Sequence, residues 1–406
     1  MKNTILTLIF LISVYLSHSQ SATKTMKRLP DTGQNISYTT TFGEDNDYTI
    51  NAPFFKNNGN GTVTDTITGL MWQKTDGGEM TIENAVIYCD SLTLGGYTNW
   101  RLPDAHESFS ILNHQNNGPA LNTTVFTKTL AEYWWTGDKQ YNDATRIWVT
   151  NAGGGIGNHP KSETVSAGGT KKIHVRAVRD ITTPTVIQNR LTKNGDGTVT
   201  DNLTGLIWEQ IPNPNSNTWE QALIYAENLS LAGKTDWRLP NIKELQSLSD
   251  YKLGSPSIDQ LIFTGILTNK YWSSTSLPNL TSKAWYLSTQ FGITTYDDKT
   301  NTNYFICVRG GNQVSSGIGR TPDKVKSAYI FPNPATTDFY LTSEVVNVCR
   351  LQFRLFNNLG QTVCIQEPEL TDNYFHFNTE TLTNGLYFLT VKDNKASFTY
   401  KLSIQK

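Results

Sequence analysis

Four cysteines in 406 residues, none in a Cys-x-x-Cys pair, exclude a disulfide-dense scaffold and a thiolate zinc ribbon. The chain also lacks His-Glu-x-x-His, Gly-x-Ser-x-Gly and a phosphate-binding glycine-rich loop. Zincin, α/β-hydrolase and P-loop chemistry therefore have no motif to stand on. Charged residues are scarce, at 17%, against the ~25% of an average soluble protein. Charge of one sign is missing as well: 34 Lys and Arg face 35 Asp and Glu, for a net −1. Without a basic excess, nucleic acid is excluded as a partner. Apart from the N-terminus there is no long apolar run, and mean hydropathy is −0.41, so a polytopic membrane protein is excluded. The six histidines are scattered without ligand spacing, and neither a metal nor a cofactor is implied.

What the chain does have is aromatic weight, with 10 Trp, 18 Tyr and 17 Phe, and enough apolar residues (37%) for packed cores. Its length allows two or three domains at ~150 residues each. Lys2, the apolar run Ile5 to Leu16 and Ser17-His18-Ser19 form a secretory signal peptide over 1–19. A lead-in segment follows over 20–50, with no membrane span expected after signal removal.

An internal repeat decides the organisation. Gly61-Thr-Val-Thr-Asp65, Thr68-Gly-Leu70 and Trp72 recur as Gly197-Thr-Val-Thr-Asp201, Thr204-Gly-Leu206 and Trp208. Trp100-Arg101-Leu-Pro103 recurs as Trp237-Arg238-Leu-Pro240, Tyr133-Trp134 as Tyr271-Trp272, Trp148 as Trp285, and Val178-Arg179 as Val308-Arg309. The repeat is too long for a solenoid unit and defines duplicated modules over 51–180 and 190–311. In each, alternating β-branched residues predict strands. Thr81 or Thr218 caps a first helix ended by Gly95-Gly96 or Gly233, and Asp104 or Asn241 caps a second. Two helices inside a loop-rich antiparallel sheet predict an α+β module. A Gly/Ser/Asn stretch over 312–326 reads as a linker. A small all-β sandwich is expected over 327–406.

Phe331-Pro-Asn-Pro-Ala335, Leu355-Phe-Asn-Asn-Leu-Gly-Gln361, Gly385-Leu-Tyr-Phe-Leu389 and the closing Lys401-Leu-Ser-Ile resemble the type IX secretion system C-terminal sorting domain. That likeness implies the secretion machinery as a partner of 327–406, and passage through the periplasm to the outer-membrane surface or the medium. The duplicated unit resembles the Lcl_C family, named after the C-terminal domain of a bacterial collagen-like adhesin. The likeness rests on Gly-Thr-Val-Thr-Asp-x-x-Thr-Gly-Leu-x-Trp, Trp-Arg-Leu-Pro, Tyr-Trp and the closing Val-Arg. It implies tandem C-type-lectin-like modules and, as in the adhesin, binding of sulfated polysaccharide.

Residues kept in both copies read as structure. Arg101 and Arg238 are placed to pair with Glu107 and Glu244 of the following helix. Trp72, Trp100, Trp148, Trp208, Trp237 and Trp285 serve as core anchors, and Arg179 and Arg309 close the two repeats. Asn58-Gly-Asn60-Gly61 and Asn194-Gly-Asp196-Gly197 read as turns rather than calcium loops, for want of a closing Glu. Alignment sets Cys89 opposite Ala226 and Cys307 opposite Ala177. The family often carries both cysteines of that pair, and here each copy keeps a different one. Cys89 and Cys307 are therefore read as free and buried; a Cys89–Cys307 bridge alongside Cys349–Cys364 is the alternative pairing.

The ligand is expected on Asn151 to Lys172, read as an insertion particular to copy one. Its glycine-rich start, Ala152 to Gly157, reads as a flexible surface loop. His159, Lys161, Lys171 and Lys172 there would attract an acidic polysaccharide or extracellular matrix. Three functions stay open: a non-enzymatic adhesin-like binding protein; an exported enzyme, since formylglycine-generating enzymes share a lectin-like fold; and a structural component of the cell surface.

Overall fold

The computed structural model describes residues 21–48, 50–162, 173–310, 330–332, 335–342, 352–357, 361–363, 368–371, 374–392 and 397–406. The expected signal peptide and linker, with Lys171, Lys172, Cys349 and Cys364, lie outside them. The lead-in begins with β1 (Ala22–Lys24) and holds a short 3-10 turn at Asp45–Asp47. Copy one runs β2 (Phe55–Asn57), β3 (Thr62–Asp65), β4 (Leu70–Gln73), α1 (Ile82–Ser91), α2 (Ala105–Ser110), β5 (Tyr133–Gln140), β6 (Asp143–Asn151), β7 (Ile156–Pro160), β8 (Ile173–His174) and β9 (Val178–Asp180). After β10 (Thr185–Ile187), which pairs with β1, copy two repeats the order except that an isolated bridge at Tyr304 replaces β8. It comprises β11 (Leu191–Lys193), β12 (Thr198–Asp201), β13 (Leu206–Glu209), α3 (Trp219–Asn228), α4 (Ile242–Ser247), β14 (Lys270–Ser276), β15 (Lys283–Ser288), β16 (Ile293–Asp298) and β17 (Val308–Gly310).

The α+β expectation fails. The four α-helices are 10, 6, 10 and 6 residues long, and every other described element of length is a strand. The chain is of an all-β, sandwich-like class. The helical spacing and caps were readable: Asp104 and Asn241 each close a capping box with the glutamate three residues on. Helices of about two to three turns are, however, too short to build a helical layer over the sheets. The first helices also stop before their glycines, at Leu92 and Leu229.

Each copy has a four-stranded sheet, β2-β3-β4-β9 or β11-β12-β13-β17. The remaining strands of both copies merge into one seven-stranded sheet, β14-β15-β16-β7-β6-β5-β8. The seam is β7 against β16, where Thr294 lies opposite Ile156 and its Oγ1 accepts the Ile156 N–H at 3.0 Å. Because β7 and β16 hold the same place in the two copies, the seam is a pseudo-two-fold axis. Contacts across it are reciprocal. Trp148 packs on Tyr251 (ring centroids 4.5 Å), and its counterpart Trp285 packs on His114, the counterpart of Tyr251 (5.3 Å). One apolar cluster joins Phe109, Leu112 and Trp148 of copy one to Ile242, Leu277 and Trp285 of copy two. The modules are therefore not separate beads.

The glycine-rich loop belongs to this seam. Gly154 sits at φ +103°, and a Cβ there would stand 3.1 Å from the Trp285 ring. Its carbonyl accepts from buried His114, so Gly154 to Ile156 are buried in the seam, while Gly153 stays exposed. Nor is Asn151 to Lys172 an insertion throughout. Its first half forms β7, which copy two matches with β16; only the stretch after Pro160 is longer than its counterpart.

The sorting region carries β18 (Ile330–Phe331), β19 (Asp338–Thr342), β20 (Gln352–Asn357), β21 (Thr362–Val363), β22 (Glu369–Thr371), β23 (Tyr374–Asn378), β24 (Gly385–Lys392) and β25 (Ser397–Ile404). They form two four-stranded sheets around Phe339, Leu355, Phe377, Leu389 and Leu402.

Candidate functional site

The repeated charged residues hold the fold together. Arg101 meets Glu107 with two bonds of 2.7 and 2.8 Å, and Asp180 with two of 2.7 and 3.2 Å. Arg238 meets Glu244 with two bonds of 2.6 Å. Both glutamates also accept the N–H of the residue capping their helix. The backbone N–H and carbonyl of Arg101 and Arg238 pair with Val178 and Val308. Each pair thus ties the Trp-Arg-Leu-Pro segment to a helix and to the last strand of its copy. Arg179 lies over the Tyr97 ring (3.9 Å) and Arg309 bonds Asp236. Trp72, Trp148, Trp208 and Trp285 are buried with indole N–H groups that have no partner among the described residues. Trp100 and Trp237 donate to the carbonyls of Tyr97 and Leu231.

Strand pairing corrects the register of one repeat. Trp135 lies opposite Val149 and Trp272 opposite Tyr286. With Trp148 matched to Trp285, the structural counterparts of Tyr271-Trp272 are Trp134-Trp135, not Tyr133-Trp134. A one-residue slip exchanges the two faces of a strand, and the dipeptide alone did not reveal it.

Of the residues expected to meet a ligand, His159 and Lys161 are described. The His159 ring packs on Tyr133 (4.6 Å); Lys161, exposed, continues from β7 with its N–H on the Thr145 carbonyl. Sequence reasoning missed Arg146, which lies opposite Pro160 and bonds Asn158 through Nε at 2.6 Å. Arg146, His159 and Lys161 thus share one end of β6 and β7, with Asp143 nearby held below the usual carboxylate range mainly by Thr145. Lys161 has no ion pair among the described residues. In copy two carboxylates enter this edge and the third cation is withdrawn from it: Asp297 and Asp298 stand where copy one has His159 and Pro160, and Lys299, the counterpart of Lys161, is buried over the Trp219 ring. Asp297 pairs with Lys270 (2.8 Å), and Asp298 with Lys283, the counterpart of Arg146 (2.9 Å).

A second cluster, also peculiar to copy one, went unread. Buried Asp76 accepts from His174 Nδ1 (2.8 Å), Thr129 (2.6 Å) and Trp134 (3.1 Å), with Arg176 at 3.4 Å. Copy two has Pro212, Tyr304 and Ile306 in place of Asp76, His174 and Arg176. No sequence motif joins residues a hundred positions apart; backbone pairing brings them together, β8 lying between β5 and the segment after Asp76, whose Gly77 N–H donates to the Val175 carbonyl (2.8 Å).

The lead-in is bolted between the copies. The Lys243 ammonium is buried and donates to the carbonyls of Asp31 (2.8 Å) and Ser110 (2.7 Å). Asp45 accepts from Thr32 and Thr275, and Glu44 from Ser276. Burial pushes Asp31 up to about 6 and Lys243 down to about 8. Cys89 and Cys307 are free, buried and in different core clusters. Burial pushes the Cys89 thiol up to about 12 and raises Cys307 as well. The side-chain oxygens of Asn60 and Asp196 in the glycine turns accept locally, Asp196 from the Thr198 N–H and hydroxyl, while Asn60 Nδ2 donates to the Gly95 carbonyl.

The Lcl C-terminal domain matches residues 61–179 and again 197–309. The chain belongs to the Lcl C-terminal domain family. The secretion system C-terminal sorting domain matches residues 329–405. This Lcl-domain protein is therefore exported to the cell surface or the extracellular space by type IX secretion, and its sorting domain interacts with that machinery. No curated protein matches the chain. Among the described residues, no helix is long and apolar enough to cross a membrane and no group of His, Cys, Asp and Glu is arranged for a metal ion.

Proposed function

We propose that the protein is a non-enzymatic, adhesin-like binding protein whose first Lcl module engages acidic polysaccharide or matrix. The observation that carries this reading is the contrast between the copies: copy one gathers Arg146, His159 and exposed Lys161, where copy two sets Lys270 and Lys283 against aspartates and buries Lys299, the counterpart of Lys161, over the Trp219 ring. Sulfate and carboxylate groups are attracted to a cation set of this kind, more strongly at low salt. Lys171 and Lys172 would extend it along the same connection. The raised thiols of Cys89 and Cys307 support a non-enzymatic role, since the reactive form of cysteine is the thiolate. Heparin and dextran sulfate, immobilised and probed with the full chain, test the proposal. Binding should fall as salt rises, and by about tenfold or more when Lys161, Lys171 and Lys172 become alanine. Unchanged binding by the triple variant would overturn the assignment.

A further inference from the structure

A cleft of about 270 Å³ opens between the lead-in and copy one. Its apolar wall is Phe55, Pro53, Ile111 and Leu112. Its polar wall is made of amides, and their bonding leaves donors over. Asn113 and Asn122 use their carbonyl oxygens on local turns, accepting from Gln115 N (2.9 Å) and Thr124 N (3.1 Å). Their Nδ2 groups, and the whole amide of Asn35, make no bond among the described residues. Among the described residues, no cationic side chain lines the cleft. Its one carboxylate, Asp31, is 5% exposed and already accepts from Thr32 N, Ile50 N and Asn241 Nδ2.

The rim is apolar and held in water. Phe54 (63% exposed) lies between two lining residues, and Ile36 (51%) follows a third. The repeat does not impose this exposure. The counterpart of Phe54 in copy two is Arg190, which turns inward, 8% exposed, onto the Ser247 carbonyl and Asp201. In copy one the matching carbonyl, that of Ser110, is taken from the other side by Lys243. Phe54 is thereby left to face solvent beside the cleft.

Uncharged amide donors opposite an apolar wall suit a ligand that presents hydroxyl groups on one side and C–H groups on the other, without charge. We propose that this cleft binds one neutral hexose or N-acetylhexosamine unit of a glycan, whose neighbouring units lie across Phe54 and Ile36. Pockets for drug-sized ligands measure roughly 300–1,000 Å³, so a cleft just under that range fits a single ring. The proposal rests on reading the protein as a polysaccharide binder, but not on the cations of β6 and β7.

The test is an array of neutral gluco-, manno-, galacto- and chito-oligosaccharides beside sulfated glycans, probed with the full chain at low and high salt. The variants are Phe54→Ala and the double variant Asn113→Ala/Asn122→Ala, with melting curves for each. Binding to at least one neutral series should survive high salt and fall about tenfold or more in both variants, while sulfated binding stays at its wild-type level. Phe54→Ala removes an exposed side chain, so its loss of binding cannot be ascribed to unfolding. If the wild type bound no neutral series, or Phe54→Ala bound one within twofold of wild type, the cleft assignment would fall. Retained sulfated binding would then leave the basic-edge proposal standing; neutral binding without sulfated binding would do the reverse.

Discussion

Copy one answers a question that copy two raises at Glu209. This carboxylate is 5% exposed, accepts the Cys307 N–H and has no ion pair among the described residues; burial pushes it up to about 7. Copy one places neutral Gln73 there, accepting from Ala177 N in the same way. The folded carboxyl keeps its proton to about pH 7, whereas the unfolded chain releases it near its ordinary 4.5. Stability from this group is thus full below pH 4.5 and is lost as pH rises through 7, by at most about 3 kcal/mol. Glu209→Gln should raise the melting temperature by several degrees at pH 8 and leave it unchanged near pH 4. Equal shifts at both pH values, measured by calorimetry, would refute this. The Arg101–Glu107 and Arg238–Glu244 pairs were legible because capping and spacing fix them within six residues. The Asp76–His174 pair was not, since nothing local links its two halves.

At the scale of elements, the lead-in is the piece whose importance the sequence concealed. It has no long strand or helix, yet Asp31, Glu44 and Asp45 give partners to Lys243, Asn241, Thr275 and Ser276 of copy two. Removing it would strand several of these buried groups at about 1–3 kcal/mol each, against a total of about 5–15 kcal/mol for a typical domain. A chain starting at residue 51 should therefore lose its cooperative melt, although both family matches remain intact in it. A melting curve like that of the full chain would disprove the bolting role. Helices α1 to α4 were read from caps and periodicity. The fold class was misjudged because those signals say nothing of whether a helix forms a layer or fills a corner. The seam between β7 and β16 was equally hidden: strand alternation does not name a partner strand.

For the molecule as a whole, the apolar cluster shared across the seam implies that residues 20–311 melt as one unit. The sorting region has a core of its own, containing no residue of either copy, so 20–311 should fold without it. A single calorimetric transition is expected, with a van't Hoff enthalpy equal to the calorimetric one; two resolved transitions, or an aggregated product, would count against it. The pseudo-two-fold seam also bears on how such a chain can change over time. In a dimer of identical subunits, every interface substitution is made twice, and each new side chain must suit its own image. Here the halves are covalently joined, so a substitution strikes one side alone. His114 can face Trp285 while Tyr251 faces Trp148, and Lys243 can reach Ser110 while Arg190 reaches Ser247. Duplication followed by fusion thus lets the two halves become complementary instead of alike, and neither can then be exchanged for a second copy of the other.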